Sequence, residues 1–190
     1  MSKRGWILLG TAVPVLAFIA VLAWASVKSG GNPGGLGVNN DFGQVSVNPR
    51  AARGFSLEVL DGTTITLDGL RGKVVMLDFW ASWCPPCRQE APTLAQVYRE
   101  YQGQPVEFVG IDIWDRRQDA LAFVERYGVP YPNGIDGKGS IAIDYGVRGI
   151  PEKFFVDREG TVVKKFVGPM SAETLRAALD ELMAAEGTQR

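Results

Sequence analysis

The two cysteines of this 190-residue chain constrain it most, because only two prolines separate them in Trp83-Cys84-Pro85-Pro86-Cys87. An apolar run from Val74 to Trp80, broken only by one aspartate, comes before them and predicts a buried central strand. Apolar residues at helical spacing follow from Pro85 to Tyr101 and predict an amphipathic helix. The cysteine pair therefore lies where a buried strand ends and a helix begins.

That position favours redox chemistry at the cysteines. The partial positive charge of a helix N-terminus stabilises a thiolate on Cys84, and Cys87 lies three residues later on the same helix face. Pro85 and Pro86 fix φ in the first turn, where their missing N–H groups cost little. A structural disulfide is the alternative, but a bridge across so short a loop removes little entropy from the unfolded chain. We therefore favour a redox-active Cys84–Cys87 pair over a structural bridge.

Composition excludes several other chemistries. The chain contains no histidine, which removes the Ser-His and Cys-His catalytic pairs and the imidazole ligands of zinc and haem. A haem-attachment site requires histidine after the second cysteine, where this chain has Arg88. The 20 basic and 21 acidic residues give a formal charge of −1, which does not suit a strongly basic nucleic-acid binder. We predict no metal, no cofactor and no nucleic-acid partner.

The N-terminus contains a charge-free stretch from Gly5 to Val27. A helix of that length spans roughly 35 Å, enough for a hydrocarbon core of about 30 Å. Lys3 and Arg4 precede it, so the positive-inside rule leaves the N-terminus in the cytoplasm. A cleaved signal peptide is the alternative, because Ala23-Trp24-Ala25 is similar to a cleavage site. We predict a single-pass anchor over residues 1–28, a cell-membrane location and an extracytoplasmic catalytic domain.

The rest of the chain divides into a tether, one domain and a tail. Residues 29–49 are rich in glycine and asparagine and predict a flexible linker, whereas residues 50–186 predict the folded domain and 187–190 a frayed end. The order of patterns predicts an α/β fold with a mixed sheet flanked by helices. The predicted elements are a hairpin at 55–67, strands at 74–80, 106–113, 153–156 and 161–167, and helices at 85–101, 120–127, 140–145 and 171–183.

Several motifs resemble the thioredoxin superfamily. The segment FWASWCPPCRQEAP is similar to its active-site segment, with Pro92 where thioredoxins have a helix-kinking proline. Asp78 matches the buried thioredoxin aspartate, and Gly149-Ile150-Pro151 resembles the loop that presents a cis-proline beside the disulfide. The anchor, the hairpin, an insert at 114–147 and the run GIPEKFFVD resemble the membrane-anchored TlpA/ResA/DsbE branch, which is associated with thiol reduction in cytochrome c maturation. The resemblance implies a thioredoxin-like fold with an N-terminal β-hairpin and a central insert, preceded by one transmembrane helix.

The resemblance also implies roles for the catalytic residues. Cys84 attacks a substrate disulfide and Cys87 resolves the mixed disulfide, while Asp78 and Glu90 handle protons. A buried carboxylate on a strand has a raised pKa, which suits Asp78 to this work. Branch members often have a neutral amide at the position of Asp78, so its presence leaves a more general substrate range open. For Glu90 the alternative is an ordinary solvated helix carboxylate.

A substrate surface follows from the same resemblance, made up of Trp83, Pro85, Pro86, Ile150, Pro151 and Glu152. For Glu152 the alternative is an ordinary surface charge, and for Trp80 packing in the core is the default. The implied partners are cysteine-containing proteins, apocytochrome c above all, and a membrane electron donor of the disulfide-reductase type. Such a donor is needed because the compartment tends to oxidise thiols.

Two other function classes stay open. The same cysteine pair run in reverse would make an extracytoplasmic disulfide oxidase or isomerase. Oxidising relatives often have histidine between the cysteines, so Pro85 and Pro86 favour reduction. A redox-inactive binding module tethered to the membrane is the third possibility, because a fold does not determine a function. A peroxidase is disfavoured, since Ala81 stands where peroxiredoxins have threonine.

Overall fold

The computed structural model describes residues 13–24, 37–39 and 42–185. The chain divides into two compact units, Met1–Gly37 and Val38–Arg190. In the first unit, residues 13–24 belong to helix α1. Within the part of the chain that the structure describes, no helix has both the length and the apolar character needed to cross a membrane. Much of the predicted anchor at 1–28 and the whole predicted tail at 187–190 lie outside the described residues.

The remaining elements alternate between strands and helices, as the sequence predicts. The strands are β1 (Gly37–Val38), β2 (Gly43–Val45), β3 (Arg50–Ala51), β4 (Ser56–Glu58), β5 (Thr64–Thr66), β6 (Val74–Trp80), β7 (Val106–Ile113), β8 (Asn133–Asp136), β9 (Gly149–Ile150), β10 (Glu152–Val156) and β11 (Thr161–Val167). The helices are α2 (Pro85–Glu100), α3 (Arg117–Tyr127), α4 (Ser140–Tyr145) and α5 (Ala172–Ala184), with a 3₁₀ turn at Asp68–Leu70.

The main sheet is mixed, which confirms the predicted architecture. Its strand order is β2-β11-β10-β6-β7-β8, with β3 paired to β11. Strands β6, β7 and β8 run parallel, and β10 and β11 are antiparallel to their neighbours. Every residue of β6 is buried, as its apolar run predicts for a central strand. The predicted N-terminal hairpin is also confirmed, because β4 and β5 pair antiparallel in a separate two-stranded sheet.

Helix ends follow the capping signals in the sequence. Ser171 caps α5, and its hydroxyl oxygen accepts a hydrogen bond of 3.1 Å from the N–H of Thr174. Leu175 and Leu179 on the predicted apolar stripe of that helix are fully buried. Helix α3 ends at Gly128, whose φ of 57° is the left-handed conformation that glycine adopts most easily.

The prediction that residues 29–49 form a flexible linker is wrong for residues 43–45. Strand β2 lies inside residues 29–49 and pairs with the edge of β11, where Val45 is opposite Lys165 and Gly43 is opposite Val167. An edge strand gains backbone hydrogen bonds without an apolar face, so it leaves no hydrophobic period in the sequence. Part of the segment assigned to a free tether is therefore built into the folded domain.

Strand β8 in the central insert has no apolar pattern and escapes sequence prediction. It contains Asn133, Gly134 and Asp136 and forms because its backbone pairs with β7. Gly134 is required by close packing, since a Cβ atom there would lie 2.5 Å from the carbonyl oxygen of Glu58. The insert thus contacts the N-terminal hairpin and completes the sheet edge beyond β7.

Candidate active site

The two cysteines form a disulfide at the N-terminus of α2, with their Cα atoms 5.3 Å apart. Cys84 is the N-cap residue, and the N–H of Cys87 donates a hydrogen bond of 3.3 Å to its Sγ atom. Pro85 and Pro86 occupy the first helical positions, where a backbone N–H has no intrahelical partner. A thiolate formed at Cys84 on reduction is therefore stabilised by the helix N-terminus, as the sequence predicts.

A proline loop lies at the same edge of the sheet as the disulfide. The Ile150–Pro151 peptide bond is cis, as the resemblance implied. The next residue, Glu152, is opposite Phe79 near the end of β6, the strand that leads to the cysteines. Asn39 fastens this loop, because its backbone N–H donates to the Ile150 carbonyl and its side-chain amide to the Pro151 carbonyl, each at 3.0 Å. The loop is thus held by residues that sequence analysis had assigned to the linker.

Three buried charged side chains, Asp78, Glu90 and Lys153, lie on β6 before the redox pair, on α2 after it and on the neighbouring strand β10; we call them the charged cluster. Asp78 of β6 and Lys153 of β10 are directly opposite in an antiparallel pair, which puts both side chains on one face of the sheet. Glu90 follows Cys87 by one turn of α2 and forms an ion pair with the Lys153 ammonium. The same ammonium lies 3.6 Å from Asp78 Oδ1.

The two acids of the charged cluster differ in their hydrogen bonds. Glu90 Oε1 accepts from Lys153, and its Oε2 accepts a hydrogen bond of 3.0 Å from the N–H of Met170. Asp78 Oδ2 accepts only a long hydrogen bond of 3.4 Å from the Tyr131 hydroxyl. No group in the described part of the chain donates a hydrogen bond to Asp78 Oδ1. Glu90 is therefore the better satisfied anion of the two.

Burial raises the pKa of both acids. For Asp78 it is the largest cause, and the opposing charge of Lys153 offsets it only in part. The pKa of Glu90 rises to about 7, because burial outweighs the attraction of Lys153 and because Asp78 carries a like charge. Burial also raises the pKa of Tyr131 well above its ordinary value, so its hydroxyl remains a donor. The solvated-carboxylate alternative for Glu90 is wrong, since the side chain is inside the protein.

The two tryptophans of the active-site segment have different surroundings. Trp83 is 43% exposed next to Cys84. Trp80 is buried, stacks on Phe123 with ring centroids 4.1 Å apart, and donates a hydrogen bond of 3.0 Å to Asn133 Oδ1. Trp80 therefore packs in the core, as expected, whereas Trp83 is accessible to a substrate.

A cavity of about 210 Å³ lies between the active-site segment and helix α3. The cavity is lined by Ser82, Arg88, Asp119, Ala122, Phe123, Arg126 and Tyr127. This lining includes the guanidinium groups of the two arginines and the carboxylate of the aspartate. The carboxylate of Asp119 is already in an ion pair of 2.7 Å with Arg116. The lining of this cavity therefore carries one more positive than negative charge.

A further buried acid, Asp112, lies near the end of β7 and was not identified from the sequence. Burial, followed by the neighbouring charges of Asp115 and Asp119, raises its pKa to about 9. Asp115 in turn accepts a hydrogen bond of 2.6 Å from the N–H of Ser82, two residues before Cys84. Among the described residues, no group of three or more cysteine, aspartate and glutamate side chains is arranged to hold a metal ion.

Two further side chains have environments that the sequence did not indicate. Glu152 is not a surface charge, because it is 1% exposed and pairs with Lys165 at 2.7 Å. Its predicted contact with substrate stays a prediction. Lys153 was not singled out at all, although a lysine between a buried glutamate and two phenylalanines in a strand is unusual. Its partner Asp78 becomes evident only once the register of β10 on β6 is known.

A protein disulfide exchanges readily when its attacking thiolate is stabilised and when a nearby acid exchanges protons with the second thiol. This chain has the disulfide at a helix N-terminus, with a buried acid one turn further along the same helix, on a thioredoxin-like sheet. These features define a thioredoxin-like thiol-disulfide oxidoreductase. Within that class the chain belongs to the AhpC/TSA family, whose model matches residues 49–165.

Named relatives agree with this class. The chain is 34% identical to thiol-disulfide oxidoreductase ResA of Bacillus thuringiensis (strain Al Hakam) over 133 residues, which are 70% of this chain and 77% of that one. It is 41% identical to thiol:disulfide interchange protein DsbE of Allochromatium vinosum over 122 residues, 64% of this chain and 66% of that one. A similar solved structure is a secreted Mycobacterium tuberculosis disulfide oxidoreductase homologous to E. coli DsbE. It has 32% identity and a TM-score of 0.61, covering 67% of this chain and 96% of that one.

Proposed function

We propose that this oxidoreductase reduces disulfides of cysteine-containing proteins outside the cytoplasmic membrane, with an apocytochrome c as its substrate in cytochrome c maturation. An N-terminal helix over residues 1–28 anchors it in the cell membrane with the N-terminus in the cytoplasm. A membrane electron donor of the disulfide-reductase type returns it to the dithiol form. The charge-free run from Gly5 to Val27 and the likeness to a secreted relative support this location.

The charged cluster is the observation that carries the proposed exchange reaction. The second thiol must release its proton before it attacks and must regain it in the reverse step, and an acid that titrates near neutral pH can exchange it. The pKa of Glu90 is raised to about 7, and burial raises that of Asp78 as well. Pro85 and Pro86 between the cysteines support reduction, because oxidising relatives often have histidine there.

The proposed reaction proceeds in two displacements. The Cys84 thiolate attacks one sulfur of the substrate disulfide, whose S–S bond breaks while a mixed disulfide forms, and the released substrate thiolate takes up a proton. Cys87 then loses its proton to the acids nearby, and its thiolate attacks Cys84 Sγ. The Cys84–Cys87 bond forms and the second substrate thiolate leaves. The substrate gains two electrons, and the protein dithiol becomes the disulfide seen in the structure.

Replacing the resolving cysteine tests the substrate class directly. We expect Cys87→Ala to accumulate mixed disulfides in cells through Cys84, because the second displacement is absent. Mass spectrometry after affinity purification of the full chain identifies the partners, and Cys84→Ala is the matched control that traps none. Partners with Cys-x-x-Cys-His haem-attachment segments are expected. A partner list without cysteine proteins of the extracytoplasmic space would contradict the proposal.

The direction of electron flow has its own test. We expect the purified wild-type protein, equilibrated with glutathione buffers, to have a potential on the reducing side of the oxidising periplasmic catalysts, whose potentials lie near about −120 mV. Alkylation of the free thiols followed by mass spectrometry measures the dithiol fraction. A value at that oxidising extreme would favour the oxidase instead.

A further inference from the structure

We infer that the cavity between the active-site segment and helix α3 is a subsite for a carboxylate of the substrate, held by Arg88 and Arg126. The ligand is the side chain of an aspartate or glutamate that lies near the reactive cysteine of the substrate protein. The inference rests on the proposed exchange at Cys84 and deepens it, because it names a feature by which the protein selects its substrates. Neither arginine was among the site residues expected from the sequence.

Contacts along the active-site segment place the cavity next to the attacking cysteine. Ser82, on the lining, lies two residues before Cys84, so their Cα atoms are at most about 7 Å apart. Arg88, also on the lining, donates its backbone N–H to the Cys84 carbonyl at 3.2 Å. Its side chain turns back along the same segment, because Arg88 Nε donates a hydrogen bond to the Ser82 carbonyl. A substrate joined to Cys84 by a mixed disulfide therefore has its neighbouring residues within reach of this guanidinium.

The cavity is fixed on both of its sides. On the side of the active-site segment, the N–H of Ser82 donates a hydrogen bond of 2.6 Å to Asp115, and its carbonyl accepts the bond from Arg88. On the side of α3, Phe123 is buried and its ring stacks on Trp80 of β6, with centroids 4.1 Å apart. Because Trp80 ends the strand that leads to the cysteines, the position of the cavity relative to them is set by core packing.

The two guanidinium groups of the lining have no carboxylate partner among the residues that the structure describes. Arg126 lies over the ring of Tyr127, 5.7 Å from its centroid, a contact that uses no N–H donor. Asp119, the carboxylate of the lining, is bound through both oxygens by Arg116, at 2.7 and 3.2 Å. Since a guanidinium has five N–H donors, Arg88 and Arg126 both have donors available for a ligand.

A carboxylate is the ligand that matches these donors. A guanidinium binds it through two parallel, charge-assisted hydrogen bonds, which are roughly twice as strong as bonds between neutral groups. The cavity volume of about 210 Å³ accommodates such a side chain together with bound water, since one water occupies about 30 Å³ of liquid. Both arginines are exposed, so a substrate group can reach them. Because an extended chain advances about 3.3 Å per residue, we expect the acidic residue within about five positions of the substrate cysteine.

Tethering a peptide to Cys84 tests the binding without catalytic turnover. The Cys87→Ala protein attacks a single-cysteine peptide activated with thiopyridine, so that a mixed disulfide forms, thiopyridone leaves and the peptide stays at high effective concentration. The peptides are amidated and have glutamate or glutamine at one position, up to five residues on either side of the cysteine. We expect glutamate at one or two positions to shift the NMR signals of the Arg88 and Arg126 Nε–H groups, and glutamine there to leave them unchanged. Equal signals for both residues at every position would overturn the inference.

Kinetics of the reduced protein with matched peptide disulfides test whether the cavity selects substrates. At the position found by NMR, we expect the glutamate peptide to react about 3- to 10-fold faster than the glutamine peptide at low salt. The ratio should approach one near 1 M salt, where the Debye length is about 3 Å. Arg126→Gln should lower the ratio towards one, and Arg126→Glu should reverse the preference in favour of a lysine peptide.

A second arginine of α3 provides the matched control for these variants. The guanidinium of Arg117 donates to the Leu60 carbonyl and is outside the lining of the cavity, so Arg117→Gln changes the net charge equally and should keep the wild-type ratio. An equal loss of the preference in Arg117→Gln would mean that overall charge steers the peptides, and would overturn the inference.

The outcomes separate this inference from the proposed function. If the reduced protein reduces all peptides at rates that do not depend on the acidic residue, the subsite is wrong while the exchange reaction stands. If it reduces no peptide disulfide, the proposed reduction fails, yet the tethered peptides still decide whether the cavity binds a carboxylate. A glutamine peptide with a free C-terminal carboxylate is the last arm. Signals that shift only with this peptide would assign the cavity to chain ends and overturn the inference.

Discussion

Two neighbouring strands each bury an aspartate at the active-site end of the sheet, and the two carboxyl groups have different neighbours. Asp78 on β6 is opposite Lys153, whereas Asp112 on β7 faces two other acids. The pKa of Asp112 rises to about 9 through burial first and then through the charges of Asp115 and Asp119. Burial raises the pKa of both carboxyl groups, but at Asp78 a buried cation opposes that rise, whereas at Asp112 neighbouring acids add to it.

The largest expected effect comes from removing the cation beside Asp78, so that its surroundings become like those of Asp112. Lys153→Met should lower the free energy of unfolding by about 3–5 kcal/mol at mildly alkaline pH, because two buried carboxylates lose their cation. Both acids then have raised pKa values in the folded state only, so the folded state binds more protons and the loss shrinks as pH falls. Urea unfolding of the oxidised protein across this pH range measures the change.

An exposed ion pair provides the control for this substitution. Lys73 is 3.1 Å from Glu107 and its side chain is 42% exposed, so Lys73→Met should cost at most about 1 kcal/mol. A pH-independent loss in Lys153→Met would mean that the lysine contributes only packing, and the contrast between the two regions would disappear.

At Asp112 we expect a smaller effect of opposite sign on the free energy of unfolding. Wild-type stability should fall as pH rises through the ordinary carboxyl range towards about 9, since Asp112 stays protonated in the folded state while the unfolded chain ionises. Asparagine imitates the protonated acid and can donate to Asp115. Asp112→Asn should therefore raise the free energy of unfolding by on the order of 1–3 kcal/mol at neutral pH.

The control for Asp112 is an aspartate of the central insert that faces solvent. Asp144 is exposed, so Asp144→Asn should leave the pH dependence of unfolding as it is in the wild type. If Asp112→Asn instead destabilises the protein at every pH, Asp112 is ionised in the folded state and the two regions resemble each other.

Much of the fold and the redox pair are predictable from the sequence because they depend on local patterns. The apolar run of β6, the two prolines after Cys84 and the cap at Ser171 each act within a few residues, and the structure places them as expected. The cis-proline loop was assigned by resemblance to a family and not by any local signal.

The residues that sequence reasoning missed depend on the pairing of distant strands. Lys153 acquires a meaning only through its register with Asp78, which lies 75 positions away along the chain. Strand β2 and strand β8 form through backbone hydrogen bonds, which leave no hydrophobic period. A single charged residue within an apolar strand therefore indicates that an oppositely charged residue is buried next to it in the fold.

The smallest expected effect concerns a second contact that Asp78 has and Asp112 lacks, the hydrogen bond from the Tyr131 hydroxyl. Tyr131→Phe removes a long bond of 3.4 Å to Asp78 Oδ2, so its cost in unfolding free energy should be about 0.5 kcal/mol. The loss should grow with pH, because a hydroxyl stabilises the ionised carboxylate more than the protonated form. Tyr101→Phe is the matched control: its hydroxyl donates at 2.6 Å to Asp180. That variant should cost stability without affecting Asp78, because its hydroxyl has a different partner. A loss that stays the same at every pH in Tyr131→Phe would mean that this hydroxyl does not favour the ionised form of Asp78, and would leave Lys153 as the contact that separates Asp78 from Asp112.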